Sequence, residues 1–333
     1  MNEPMAMVLA RAFDARAPLL DAAHEMAVRL FNGFTEGNPD LVVDLYGATA
    51  IINNYADPAT AGTALVQETL EVLLARLPWM QAVIVKTRRS ASAAERLGKL
   101  LFGARVDRRV REHGVWYAVD PLMSRDASLY LDTRNLRAWA IRELTGKTVL
   151  NTFAYTGSLG VAALAGGATR VAQLDRNGEF LNVAKASYAL NGFPVHKQDF
   201  LLGDFFSKIS YLKKAGARFD CIFLDPPFFA TGQGGTVDLV NNSARLINKV
   251  RPLLHDGGRL VTINNALFVS GQSYYDTLTA LCASGYLQIT ELIDVPPDFT
   301  GYPDTKRGTP VTDPHPFNHA TNIAVLEVVG RKE

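Results

Sequence analysis

Cysteine is scarce in this 333-residue chain, charge of one sign is not in surplus, and long apolar runs are missing. Two cysteines, Cys221 and Cys282, are too few for a disulfide framework, and without a CxxC pair or a histidine cluster no metal site is expected. Lys and Arg (34) nearly balance Asp and Glu (33), so with a net charge of +1 any affinity for nucleic acid must come from a local patch. No apolar stretch approaches the roughly 20 residues of a membrane span. Glu3, Pro4, Arg11, Asp14 and Arg16 break up the N-terminal stretch, which argues against a signal peptide. A soluble, cytoplasmic protein with no membrane partner is the expectation. What is present is an ordinary globular balance, 48% hydrophobic and 20% charged, and at this length it can bury a sizeable core.

Periodicity divides the chain in two. Over residues 1–40, Leu9, Phe13, Leu19, Leu20, Ala23, Met26, Ala27 and Leu30 recur at roughly helical spacing, which predicts helix. Residues 41–46 and 48–55 read as strands joined at Gly47, a hairpin. A helix over 61–77 and strands over 81–86 and 115–120 complete a small N-terminal α+β domain, residues 1–120. Within residues 121–333, strands are predicted at 147–153, 170–174, 195–199, 219–224, 258–263, 286–294 and 322–329. Helices at 134–144, 158–166, 178–190, 204–214, 238–253 and 272–284 alternate with them. Apolar strands separated by helices predict an α/β, doubly wound, Rossmann-like sheet of seven strands. Only a loop separates the last two strands, so an antiparallel final pair is expected.

One segment concentrates charge. Between Lys86 and Glu112 stand nine basic residues (Lys86, Arg88, Arg89, Arg96, Lys99, Arg105, Arg108, Arg109 and Arg111) against Glu95, Asp107 and Glu112. It reads either as a phosphate-facing patch or as a solvated connector laced with ion pairs. A long loop over 295–322 interleaves Lys306, Arg307, His315 and His319 with Phe299, Tyr302 and Phe317, in the manner of a lid that meets bases and phosphates.

Two motifs carry chemistry. The turn from Asn151 through Phe153, Tyr155, Thr156, Gly157 and Ser158 follows the first strand of the sheet. Gly157 lets backbone approach a ligand, the next helix offers a positive N-terminus, and Asp175 ends the following strand, where an acid meets a ribose. The glycines read Gly157-x-x-Gly160, so the dinucleotide signature GxGxxG is missing and NAD binding is the weaker reading. The second motif, Asp225-Pro226-Pro227-Phe228, directly follows an apolar strand. Its prolines remove two backbone donors, Asp225 can orient an amine or a bound cofactor, and Phe228 offers a face for a base.

Together these motifs resemble class I S-adenosylmethionine-dependent methyltransferases. More narrowly, the chain is similar to the bacterial 23S ribosomal RNA methyltransferases that make 5-methylcytosine or 7-methylguanine. The segment Arg29–Gly47 is similar to that family's RLxNGxxDGxPGLxVDxYG, Tyr130–Arg134 to YxLDxR, and Leu150–Gly157 to LNxFSYTG. Leu174-Asp175, Leu190-Asn191-Gly192, Gly203-Asp204-Phe205-Phe206 and Asp225-Pro226-Pro227 follow in the family's order. The resemblance implies S-adenosylmethionine as cofactor and RNA, specifically ribosomal RNA, as partner, with a homodimer left open. It implies cofactor contacts at Arg134, Asn151, Phe153, Tyr155, Thr156, Gly157, Ser158, Asp175, Arg176, Asn191, Asp204 and Asp225.

Two departures narrow the expectation. The family's 5-methylcytosine branch carries an N-terminal RNA-binding barrel, for which the short stretch before Arg29 leaves no room. Cytosine C5 also needs a cysteine nucleophile, and where that branch has TFSCS this chain has Thr262-Ile-Asn264-Asn265-Ala266. The Asn pair resembles the SNN of the 7-methylguanine branch, which points to a purine and puts Asn264 beside Asp225, Pro226, Pro227 and Phe228 in the catalytic set. An exocyclic amine is a further acceptor that Asp-Pro-Pro-Phe suits. A small-molecule or protein acceptor, or an RNA-binding protein without activity, are the rival readings.

Overall fold

The computed structural model describes residues 3–232 and 234–330, and the chain forms two compact units. Unit 1 comprises residues up to Leu131 together with Pro296–Pro310; unit 2 comprises Asp132–Val295 and the chain from Val311 on. The division therefore falls eleven residues beyond the expected 120/121 boundary, and the chain returns to unit 1 once.

In unit 1, helix α1 (Met5–Arg16) leads to strand β1 (Ala27–Asn32), a short helix α2 (Gly33–Glu36), β2 (Leu41–Tyr46) and β3 (Thr49–Asn54). Helix α3 (Thr63–Arg76), β4 (Ala82–Thr87), the one-turn α4 (Ala93–Leu97) and β5 (Lys99–Gly103) follow, then a small ribbon of β6 (Arg109–Glu112) and β7 (Val115–Ala118). Strands β1 to β5 form one sheet in chain order, and the expected hairpin is the antiparallel β2–β3 pair around Gly47, whose φ of +64° suits the turn. The expectation of helix through residue 40 fails at β1. Val28, Leu30 and Phe31 enter the core as strand residues because β1 zips antiparallel onto β2, and long-range pairing overrides local spacing. The core closes over a fully buried ion pair, Arg16–Glu36, whose guanidinium also donates to the Asp298 carbonyl.

The basic segment is not a bare patch of free charge, since several of its cations are ion-paired. Arg88 pairs with Asp126, Arg89 with Asp57, Arg108 with Asp120 and Arg111 with Glu25, all carboxylates from outside the segment, while Lys99 pairs with Glu95. Lys86 is buried and donates to the carbonyls of Ser124 and Asp126; burial lowers its pKa to about 8. The 295–322 loop is not a continuous lid either. Phe299 is buried in unit 1 beneath the Arg29 guanidinium at 3.9 Å, and Phe317 is buried in unit 2 against Tyr274. Their apolar rings were worth more to the cores than to a binding surface.

In unit 2, the elements alternate: α5 (Arg134–Glu143), β8 (Thr148–Thr152), α6 (Ser158–Ala165), β9 (Arg170–Asp175), α7 (Gly178–Leu190), β10 (Phe200–Leu202), α8 (Phe205–Lys214) and β11 (Phe219–Leu224). A hairpin of β12 (Phe229–Gly232) and β13 (Gly235–Asp238) follows, then α9 (Ser243–Val250), β14 (Leu254–Asn264), α10 (Gly271–Cys282) and β15 (Leu287–Leu292). A short α11 (Pro297–Thr300) belongs to unit 1, and β16 (Asn322–Val328) ends the sheet of unit 2. Strand order is β10-β9-β8-β11-β14-β16-β15, seven strands as expected, with β16 inserted antiparallel between β14 and β15. The chain winds outward from β8 through β9 to β10, then crosses back to β11. Ligands of such sheets bind at the carboxyl ends of the strands beside that reversal, so the turns after β8 and β11 frame the candidate site.

Candidate active site

The turn after β8 is held in an unusual backbone. Phe153 (φ +53°), Tyr155 (φ +50°) and Gly157 (φ +76°) alternate through the left-handed region, and only the last is a glycine. Such residues cost roughly 1–2 kcal/mol each and persist where surroundings enforce them, often at ligand sites. Here the enforcement is explicit. The Tyr155 amide donates to Asp175 Oδ2 at 2.8 Å, the Ala154 amide to the Leu174 carbonyl at 2.9 Å, and Phe153 stacks on Phe205 at 4.5 Å. Beneath the turn lies a buried polar strut. Gln173 Nε2 donates to the Gly157 carbonyl (3.1 Å) and to Tyr188 (3.2 Å), while Gln173 Oε1 accepts from Asn151 Nδ2 (2.9 Å). A Cβ on Gly157 would stand 2.6 Å from the Ala184 Cβ, and one on Gly160 2.1 Å from Gln173 Nε2, so both positions require glycine.

Asp175 closes the turn from the neighbouring strand. Its two oxygens accept from the Tyr155 and Asn177 amides, each at 2.8 Å, and burial raises its pKa against the pull of those amides. A carboxylate offers about four acceptor sites, so capacity remains here for a ribose hydroxyl. Across the reversal point, Asp225 follows β11 with Pro226 buried and Pro227 and Phe228 exposed. Burial, reinforced by the neighbouring Asp132 carboxylate, pushes Asp225 up to about 7. Asp132 stands two residues before Arg134, the first residue of α5, and accepts from Thr321 Oγ1 at 2.9 Å.

These residues fit the cofactor that the sequence implies. The Asn151 side-chain oxygen is buried without a hydrogen-bond partner, and the Asp225 carboxyl is raised by burial and by the Asp132 carboxylate beside it, an environment that favours a cation. A sulfonium or ammonium there would relieve their mutual repulsion.

Of the expected contacts, Phe153, Tyr155, Thr156 and Gly157 belong to this turn, Asn151 lies buried beneath it within β8, Ser158 opens α6, and Asp175, the exposed Arg176 and Asp204 stand at the same carboxyl edge. Asp204 caps α8 through the Ser207 amide (3.1 Å), and Gly232 and Gly234 of the β12–β13 hairpin rest so closely on its carboxylate that a Cβ there would collide. Two expectations are corrected. Asn191 lies at the far end of α7, about 20 Å of helix from the turn, where its amide caps the Ser187 carbonyl. Asn264 is completely buried, and its Oδ1 accepts the Ala266 amide at 2.9 Å, so it shapes a turn and does not face an acceptor. The pattern after β14 made both asparagines look alike, yet Asn264, the last residue of the strand, is buried and Asn265, just past it, is exposed. Gln173 was missing from the expected set. A glutamine within an otherwise apolar strand was the one signal for Gln173.

Neither cysteine reaches this site. Cys221 is fully buried within β11 and Cys282 half-buried at the end of α10, and burial raises the pKa of both thiols. Among the described residues no helix is long and apolar enough to cross a membrane.

Known proteins resemble this chain in sequence and in fold. A ribosomal RNA large subunit methyltransferase K/L of Colwellia psychrerythraea is 32% identical over 72% of this chain and 34% of its own length. A Bacillus subtilis protein assigned as the ribosomal RNA large subunit methyltransferase YwbD is 31% identical over 78% of this chain and 65% of its own. The chain thus spans about a third of the one relative and under two thirds of the other. Among solved structures, SMU.776, assigned as a methyltransferase and crystallised with SAH, superposes with a TM-score of 0.83. It covers 97% of this chain and 80% of its own at 20% identity, a likeness of fold. A profile described as S-adenosylmethionine-dependent methyltransferase matches residues 28–309, most of both units, and the chain belongs to that family.

Proposed function

We propose that this methyltransferase modifies a nitrogen of a purine in ribosomal RNA, as a cytoplasmic enzyme, with unit 1 contributing to RNA recognition. The relatives' names supply the substrate class. The observation that carries the choice of atom is the position of the thiols: cytosine C5 needs a cysteine to add to the ring, and of the two cysteines Cys221 is buried within β11 and Cys282 is half-buried at the far end of α10, both with raised pKa. A ring nitrogen has its own lone pair and needs only to be held in line.

Bound at the Tyr155–Ser158 turn, S-adenosylmethionine supplies an electrophilic methyl group on a sulfonium. The chain's residues do the positioning, which is most of what an in-line displacement requires. Asp175 holds the ribose hydroxyls, Asp132 and Asp225 face the cationic end, and Phe228, 46% exposed, offers its ring to the acceptor base. One observation favours a second atom. Asp225, with a pKa near 7, can take up the proton that an exocyclic amine loses on methylation, whereas guanine N7 has none to lose.

The experiment is mass spectrometry of nucleosides from ribosomal RNA of a deletion strain, before and after treatment with the purified protein and cofactor. A methylated purine that appears on treatment is the expected result. 5-Methylcytosine, or label only in protein or small molecules, would refute the reading.

A further inference from the structure

The turn after β14 displays an aromatic ring that its own packing does not explain. Ala266 is fully buried and anchors the turn, its amide fixed by Asn264 Oδ1 (2.9 Å) and its carbonyl by the Val269 amide (2.9 Å). The Leu267 carbonyl accepts from Thr312 Oγ1 (2.9 Å) and the Gly271 amide donates to the Asp313 carbonyl (2.9 Å). Gly271 itself sits so close to the Pro314 carbonyl that no side chain fits there. So braced a segment could have buried its apolar residues, yet it turns Phe268 outward, 75% exposed. No ring or cation stacks on Phe268 or Phe228 among the described residues.

Topology says what that ring adjoins. β11 and β14 are parallel neighbours, with Leu224 opposite Thr262, so the segments leaving them emerge side by side at the carboxyl edge of the sheet. The first bears Asp225 and Phe228, the second Phe268. We propose that Phe268 is a stacking residue for the acceptor base, serving with Phe228 as a pair of ring faces beside the Asp225 carboxylate. The occupant is an unstacked nucleobase, because every base offers a π-face to an exposed ring and the methyl donor site lies next door. An intact duplex does not present such a face, so the substrate is RNA at a single-stranded or extruded position. The inference rests on RNA being the acceptor.

The test uses the full chain with Phe268→Ala and Phe268→Trp. One readout is methyl transfer to an unmodified large-subunit ribosomal RNA transcript. The other is quenching of a short single-stranded RNA carrying 2-aminopurine, in the presence of S-adenosylhomocysteine. Phe268→Ala is expected to raise KM for the transcript roughly ten- to a hundredfold and to weaken quenching in parallel. Affinity for S-adenosylhomocysteine, followed by calorimetry, should be unchanged, and Phe268→Trp should restore both readouts. Unaltered KM and quenching in Phe268→Ala, a parallel loss of cofactor affinity, or failure of Trp to rescue each overturn the assignment. If the wild-type protein methylates no RNA, the RNA reading itself falls and takes this inference with it. If wild type methylates RNA and Phe268→Ala does so equally well, only the inference falls.

Discussion

Replacing Asp225 by Asn should stabilise the ligand-free fold while damaging the enzyme, and the size of the gain should depend on pH in a defined direction. Burial and the Asp132 charge raise Asp225 from 3.8 to about 7. At ~1.4 kcal/mol for each tenfold change in proton affinity, keeping that carboxylate ionised in the folded state costs up to about 4 kcal/mol. Asp225 is only half-buried, so solvent screening leaves roughly half of this. Between pH 3.8 and about 7 the folded chain holds a proton that the unfolded chain has released, so wild-type stability falls as pH rises through that window and levels off above it. The side-chain amide of the Asp225→Asn variant stays neutral throughout. The advantage of Asp225→Asn over wild type, measured by urea unfolding without ligand, should therefore widen from pH 5 to pH 8 by about 1–2 kcal/mol. Cofactor binding should show the opposite dependence: wild type should bind S-adenosylmethionine more tightly at pH 8 than at pH 6, and Asp225→Asn should lose that pH dependence. A stability gap that is constant or narrows with rising pH would refute the claim that this carboxylate is strained for the sake of a cation.

Two further outcomes are expected. Gly157→Ala forces a Cβ to 2.6 Å from that of Ala184 at a φ of +76°, and should cost about 1–3 kcal/mol of stability together with at least tenfold in S-adenosylhomocysteine affinity by calorimetry; an unchanged dissociation constant would mean that the turn does not contact the cofactor. Cys221→Ala combined with Cys282→Ala should lower stability by roughly 1 kcal/mol per buried site and leave methyl transfer largely intact. Selective loss of turnover in the folded double variant, or a covalent RNA adduct trapped on wild type, would restore the cytosine mechanism.

Much of unit 2 was legible because its signals are local. Helix α7 ends at Asn191-Gly192, β11 runs directly into Asp225-Pro226-Pro227, and Gly157 opens α6; each follows from turn chemistry and periodicity within a few residues. The order of those motifs carried the family, and with it the cofactor. What tertiary structure decided was the fate of residues whose partners are distant in sequence. Ala27–Asn32 became a strand because β2 was there to pair with it. Four cations of the basic segment found partners outside it, in Glu25, Asp57, Asp120 and Asp126. The Asp132 charge reaches Asp225 only because the fold brings the start of α5 to the end of β11. Burial also sorted like from like: Phe299 and Phe317 went into the cores and Phe268 outward, Asn264 inward and Asn265 outward. Composition and periodicity set how much apolar surface a segment offers, but which neighbour covers it, and which ring is left facing solvent, is fixed only when the strands have found their order in the sheet.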